Sequence, residues 1–474
     1  MSDSSLPFST RRDFLSQFAT GLGGVALASL LDREGLLRSE DHVAPHHPPR
    51  ATRAIQIFIQ GGLSQVDSFD YKPELEKHHD QPMPGDEKPD VFFKQIGHLH
   101  KSHFEFKQRG KSGLWISELF PHIAQQADEL TLIRSMVSST GNHTPATYEA
   151  NSGFRVLGFP AVGSWLSYGL GSLSDDLPTF VVLPDARNWP TGGANNWTNG
   201  FLPARHQGVV FQTKGDPIAD LKSARPIDEK TRLARYDLLR EMNQRHLEER
   251  SGRDDLSARI KSYELAAKMQ LAVPDAADLS KETKETQDRY GVSHDECAEF
   301  ARGCLLARRL IERGVRFVQL WAGANFGGPT WDAHDNVPDN HGKESRRIDQ
   351  PVGALLKDLR ERGLLDDTLV IFNTEFGRTP FAQSGEGKLG KGRDHNQTAA
   401  SAWLAGAGLK HGHSFGSTDD FGYKAVERPV TVHDFHATIL HLFGIDHERL
   451  TYYHNGIQRR LTDVSGHVIE DILA

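Results

Sequence analysis

At 474 residues the chain exceeds the roughly 250–300 at which a single hydrophobic core stops growing, so it holds two domains or one large α/β domain with an appended part. Its 55 lysines and arginines stand against 63 aspartates and glutamates, a formal charge of -8, and this mild acidity leaves no electrostatic footprint for nucleic acid, although a local basic pocket stays open. The two cysteines, Cys297 and Cys304, exclude a disulfide framework; seven positions apart in an expected helix, they read as buried thiols.

In chain order, Ser9-Thr10-Arg11-Arg12-Asp13-Phe14-Leu15 precedes a Gly- and Ala-rich apolar segment over 18–31. Paired arginines, Phe-Leu and a modest apolar run in that order resemble a twin-arginine export signal. Ala26-Leu27-Ala28 offers a cleavage site but falls early in the segment, which leaves an uncleaved N-terminal or peripheral membrane anchor open. The segment is too short and too rich in glycine to read as a spanning helix. Residues 1–31 are therefore expected to be a signal, 32–52 a polar linker and 53–474 the main domain, working in the periplasm or outside the cell.

From residue 54 the rhythm is that of an α/β protein. Strands are expected over 54–60, ending at Gly61-Gly62, then over 130–137, 179–183, 315–320 and 368–372, with helices over 294–312 and 346–362 among them. That alternation favours a mostly parallel sheet with helices on both faces. Residues 216–290 are strongly charged and helix-forming, nearly without break over 232–270; they are expected to be a helical insertion whose charges form a solvated face.

Chemistry gathers after the strands, where open α/β sheets bind ligands. Asp67 and Asp70 follow the first strand, and His143 and Thr144 follow the second. Asp332 and His334 follow the fourth, Glu375 and Arg378 the fifth, and Arg393, Asp394 and His395 come one loop later. Pro145 suits a first helical turn, which places His143 and Thr144 at a helix N-terminus, where an anion is favoured. Taken singly, Asp332 and Asp394 read equally well as turn caps, and Glu375 and Arg378 as a mutual ion pair. Together, such carboxylates and imidazoles are what a hard or borderline divalent cation requires. Asp332 and His334, at i and i+2 on extended chain, point the same way and can share one ion, and Pro329 argues against helix there.

The segments GGLSQVDSFDYKP, NHTPATYEANSGF, WDAHDN, NTEFGRTP and GRDHNQ, with VHDFHATIL near the C-terminus, resemble in their order the alkaline phosphatase/sulfatase superfamily. The closer likeness is to its twin-arginine-exported, sulfatase-like branch labelled a domain of unknown function, and it covers most of 54–473. The resemblance implies a three-layer α/β/α sandwich and one or two divalent ions, zinc, calcium, magnesium or manganese. It implies Asp332, His334 and His395 at one metal, Glu375 at a second, and Asp67 or Asp70 in place of the first-strand aspartate. His143, followed by Thr144, stands where relatives carry a nucleophilic Ser, Thr or Cys, and Phe376 replaces the usual His or Asn beside Glu375. No Cys-x-Pro-Ser-Arg is present, so formylglycine chemistry is not implied.

The favoured expectation is an exported metal-dependent hydrolase of phosphate or sulfate esters, small or polymeric. In it Thr144, activated by metal or by His143, or else a water, attacks, while Arg378 and Arg393 neutralise the anion. The alternatives are a non-catalytic metal-containing envelope module that binds sulfated or phosphorylated glycans, and a purely structural site.

Overall fold

Arg53–Ile59 (β1) is the run RAIQIFI, and its alternating side chains serve two different cores. Ile55, Ile57 and Ile59 enter one hydrophobic cluster, Ala54 and Phe58 another. Successive strand side chains point to opposite faces, so the sheet is covered on both sides. The computed structural model describes residues 44–85, 89–218, 228–249, 254–323, 330–385 and 388–474. The expected signal and most of the expected linker lie outside the described residues.

Further strands are Leu130–Val137 (β2), Phe180–Leu183 (β3), Val209–Val210 (β4), Phe317–Ala322 (β5) and Thr368–Thr374 (β6). Gly377–Ala382 (β7) and Arg393–Asn396 (β8) form a separate antiparallel hairpin, and Ala400–Ala405 (β9), His413–Phe415 (β10) and Val430–Thr431 (β11) complete the set used below. Among the described residues the main sheet has nine strands, in the order β10-β2-β9-β6-β1-β5-β3-β4, with β11 also on β2. It is mostly parallel: β1 runs parallel to β5 and β6, and β5 to β3. The exception is β9, antiparallel to both β2 and β6. That strand was not expected, because Ala-Ser-Ala-Trp-Leu-Ala carries no β-branched residue to mark it.

The helices are His143–Ser152 (α1), Val162–Leu170 (α2), Glu229–Glu249 (α3), Asp254–Ala277 (α4), Ala298–Glu312 (α5), Val337–Glu361 (α6) and Val432–Leu442 (α7). On one face, α5 and α6 contribute Leu306, Leu310, Val352 and Leu356 to the cluster holding Ile55. On the other, α2 and α7 bring Trp165, Leu166, Phe435 and Leu440. The result is three layers, α/β/α. The helical insertion is α3 with α4: Val273 and Ala276 of α4 reach the core, whereas α3 leaves Leu238 and Met242 exposed. Helix α6 begins at Val337, well before the expected 346. The Asn336 side chain accepts from the Asp339 N–H and Pro338 fills the first turn, while His341 and Glu344, ahead of the expected helix, are fully buried.

A row of buried amides crosses the sheet. Gln56 Nε2 donates to Asn373 Oδ1 (3.0 Å), and Gln319 Nε2 donates to Gln56 Oε1 (3.0 Å) and to Asn151 Oδ1 of α1 (2.6 Å). Side-chain amides without partners there would cost about 1–3 kcal/mol each. The row therefore fixes the height of α1 against β1, β5 and β6. Pro45–Ala474 forms one compact unit, and among the described residues no helix is long and apolar enough to cross a membrane.

Candidate metal centre

The carboxyl ends of β1, β2, β5 and β6 all point the same way, and the chain leaving each one bends toward the same point. Gly61, after β1, adopts φ +123°, and a Cβ there would stand 2.7 Å from the Asp332 backbone N. Glycine thus lets the first turn press against Trp331-Asp332. Trp331 and Ala333 are buried behind that stretch while Asp332 and His334 face forward, with side chains 35% and 23% exposed. This is the common orientation expected of i and i+2 on extended chain. Gly392 brings the hairpin equally close: a Cβ on it would lie 1.6 Å from the His334 carbonyl oxygen. Helix α1 starts at His143, as Pro145 implied.

Four groups surround Asp332 Oδ1. Arg378 Nη2 donates from 2.6 Å, His334 Nε2 lies at 2.8 Å, His143 Nε2 at 3.2 Å and His395 Nε2 at 3.3 Å. His334 Nε2 and His395 Nε2 are 3.0 Å apart. The ligand atoms of His143, Asp332, His334 and His395 all lie within 4.8 Å of one another, and among the described residues no other such group of His, Cys, Asp and Glu occurs.

The opposite edge of each ring fixes its tautomer. His395 Nδ1 donates to the Gly141 carbonyl (2.6 Å), His143 Nδ1 to Glu375 Oε1 (2.7 Å) and His334 Nδ1 to the Gln383 amide oxygen. With Nδ1–H committed, each ring turns its Nε2 inward, the atom that carries the lone pair when the ring is neutral. Burial, foremost, and the Arg378 and His143 charges push His395 down to about 3, so that ring is neutral. Two imidazole nitrogens 3.0 Å apart beside a carboxylate oxygen need a proton or a metal ion between them. Three imidazole nitrogens and one carboxylate, each imidazole braced by a second acceptor, make a donor set that suits a divalent transition metal.

Electrostatics around the centre follow from the same contacts. Burial opposes ionisation of Asp332, but its bonds to His143, His334 and His395 and the Arg378 charge outweigh that and hold it far below the usual carboxylate range. Burial also pushes His143 down, yet the adjoining Asp332 and Glu375 carboxylates prevail and raise it to about 9. His143 Nε2 lies off the hydrogen-bonding direction of Asp332 despite the 3.2 Å separation, as befits a nitrogen aimed at a shared centre.

Other expected site residues have different surroundings. Glu375, expected at a second metal, accepts from the Gly61 N–H (2.8 Å) and His143 Nδ1 through Oε1, and from the Thr374 hydroxyl (3.0 Å) through Oε2; it braces a ligand. Asp67, also expected at a metal, instead sits fully buried in an ion pair with Arg393, 2.7 Å away, and accepts from the Ser64 hydroxyl and the His103 N–H. Arg393, expected on the substrate anion, spends its remaining donors on the carbonyls of Thr379, Pro380, His100 and Lys101. Arg378 reaches Asp332 but is itself fully buried, and it also bonds the carbonyls of Gly61, Gly62 and Arg393. Thr144, expected as a nucleophile, shares a hydrogen bond with the Thr191 hydroxyl. Two residues escaped the sequence reading: Gln383, because a lone glutamine in a loop carries no motif, and Phe93, whose ring lies 4.9 Å from that of His334.

Over residues 51–473 the chain matches the family described as Protein of unknown function (DUF1501). No curated protein matches it. Among solved structures it is similar to Ps i-CgsB, at 12% identity over 83% of this chain and 72% of that one, with a TM-score of 0.37. It is similar also to a protein in the alkaline phosphatase superfamily from Vibrio parahaemolyticus, at 11% identity over 84% and 69%, TM-score 0.37. The PsFucS1 sulfatase from Pseudoalteromonas sp. is 12% identical over 90% and 71%, TM-score 0.35.

Proposed function

The chain belongs to this family of unknown function, and we propose that it is an exported metal-dependent hydrolase of phosphate or sulfate esters. The observation that carries the reading is the convergence of three Nε2 atoms on Asp332 Oδ1 at a partly open site. A divalent ion held by His143, Asp332, His334 and His395 would supply Lewis acidity toward an ester oxygen. Three imidazoles favour zinc or a similar transition metal over calcium or magnesium, which prefer oxygen donors.

The chain's own groups do the rest. Glu375, Gly141 and Gln383 hold the three rings in the tautomer that faces inward, and Arg378 keeps Asp332 ionised and oriented. Helix α1 opens at the centre with no side-chain cap from Asn142, so the N–H groups of His143 and Thr144 are directed where an ester's anionic oxygens would lie. With the Thr144 hydroxyl engaged by Thr191, attack falls to water. The same lack of a nucleophile among the four favours the second reading, a metal-containing module that binds an anionic glycan without turnover. The twin arginines at Arg11-Arg12 support export of the folded, loaded protein.

Purified full-length protein, with its metal content measured, should hydrolyse at least one of an aryl phosphate, a bis-aryl phosphate and an aryl sulfate. Metal present with no hydrolysis of any of the three would select the binding module.

A further inference from the structure

Beside the centre lies a cleft of about 680 Å³ that has His395 and Gly141 in its wall, together with Phe92, Gln397, Tyr423 and Lys424. We propose that this cleft binds the organic part of the ester, and that this part is a sugar ring of an oligosaccharide, seated on Phe92 with Gln397 and Lys424 at its hydroxyls. The inference rests on the ester-hydrolase reading and adds to it the substrate class and the residues that select it.

Two adjacent phenyl rings open to solvent at the mouth of a polar centre need a reason. Phe92 is 42% exposed and Phe93 48%. Their rings lie against the ligand imidazoles: Phe92 is 5.0 Å from His395 between centroids, and Phe93 is 4.9 Å from His334. The segment that presents them is pinned on three sides. Val91 is buried in a small core with Phe381 and Tyr423; the Tyr423 hydroxyl donates to the Asp90 carbonyl (2.7 Å); and the Phe93 N–H donates to Asp394 Oδ2 (2.7 Å). The same Asp394 accepts from the His395 N–H (2.7 Å). One buried carboxylate therefore sets the distance between the exposed rings and a metal ligand, which is the arrangement a fixed platform for the substrate requires.

The rest of the cleft identifies the class. The wall is mixed, with Phe92, Val91 and Met83 on its apolar part and Lys94, Asn396, Thr398 and Asp419 among its polar groups; at a volume within the roughly 300–1,000 Å³ of ligand sites, it fits a ring that has one hydrocarbon face and a polar edge. Gln397 and Lys424 are exposed and supply an amide and an ammonium for that edge. A plain aryl group would use neither, and an acyl chain would need a longer apolar groove. The Lys424 ammonium, 5.7 Å over the Tyr423 ring, also suits a second anionic substituent on the glycan.

The test is calorimetric titration of the zinc-loaded full-length protein with inorganic phosphate, glucose 6-phosphate and phenyl phosphate, repeated with Phe92→Ala and Lys424→Ala, both exposed positions. Glucose 6-phosphate should bind about five- to ten-fold tighter than inorganic phosphate, the contribution of one well-packed ring contact, and each variant should remove most of that advantage. A sugar ester that binds no tighter than phosphate, an advantage that survives both variants, or phenyl phosphate binding tightest would overturn the proposal. If the sugar ester binds through Phe92 while inorganic phosphate does not bind at all, the cleft assignment stands and the ester-hydrolase reading falls. Failure of all three probes to bind removes both.

Discussion

Glu375 stands behind the His143 ring, and what it does there can be separated from ligation. Its Oε1 holds the His143 Nδ1–H at 2.7 Å and the Gly61 N–H at 2.8 Å. Glu375→Gln should therefore weaken metal binding by about 10–100-fold without abolishing it, the usual effect of removing a carboxylate that orients a ligand imidazole. Competition with a chelating dye measures this, and complete loss of binding would make Glu375 a direct ligand. Thr144 tests the opposite case. Because its hydroxyl is shared with Thr191, Thr144→Val should retain most ester hydrolysis, and inactivity with metal still bound would restore Thr144 as the nucleophile. At this scale the sequence was most informative for Asp332 and His334, whose i, i+2 spacing turns both toward one point, and for His395, which the family resemblance grouped with them. It was least informative for Asp67 and Arg393. An aspartate and an arginine 326 positions apart carry no sign of being each other's partner, and each alone looks like a site residue.

At the scale of elements, the β7–β8 hairpin delivers His395, and the buried Asp67–Arg393 pair ties it to the segment after β1. Burial raises the Asp67 carboxyl, but the Arg393 and His103 charges and the Ser64 bond outweigh it and hold its pKa well below the model-peptide value of 3.8. A carboxylate depressed in the folded state contributes stability above its unfolded pKa and loses it as pH falls toward the folded one. Unfolding free energy should thus decline below about pH 4 in the wild type, and less steeply in Asp67→Asn. At pH 7 that variant should lose about 3–5 kcal/mol, because Arg393 is left buried without its partner; denaturant titration checks both. Gly392→Ala should displace the His334 backbone and lower metal affinity, since the added Cβ would fall 1.6 Å from a carbonyl oxygen; unchanged affinity would show that the hairpin yields. Strands rich in aliphatic residues, such as β1 and β2, were legible to within a residue or two. Strand β9 was not, because its three alanines and one serine take their conformation from two flanking strands, and neither was the polar first part of α6, whose burial of His341 and Glu344 depends on distant partners.

For the whole molecule, the proposed address and the proposed metal belong to one reading, in which the protein folds around an ion in the cytoplasm and is then exported in that state. A fusion of residues 1–52 to a reporter that folds in the cytoplasm should be exported, and Arg11→Lys with Arg12→Lys should block it. Export that survives the double change would remove the twin-arginine reading but leave the centre untouched. The three-layer architecture was readable from the order of strands and helices, whereas the addition of His143 to the expected set of Asp332, His334 and His395 emerged only from where α1 begins. The central claim is that these four side chains bind one divalent ion. Elemental analysis of the full-length wild type beside Asp332→Asn, with far-UV circular dichroism to establish that both are folded, tests it most directly. The account expects about one transition-metal ion per wild-type chain and nearly none in the variant. Equal metal in the two folded proteins, or none in a wild type supplied with zinc, would contradict it.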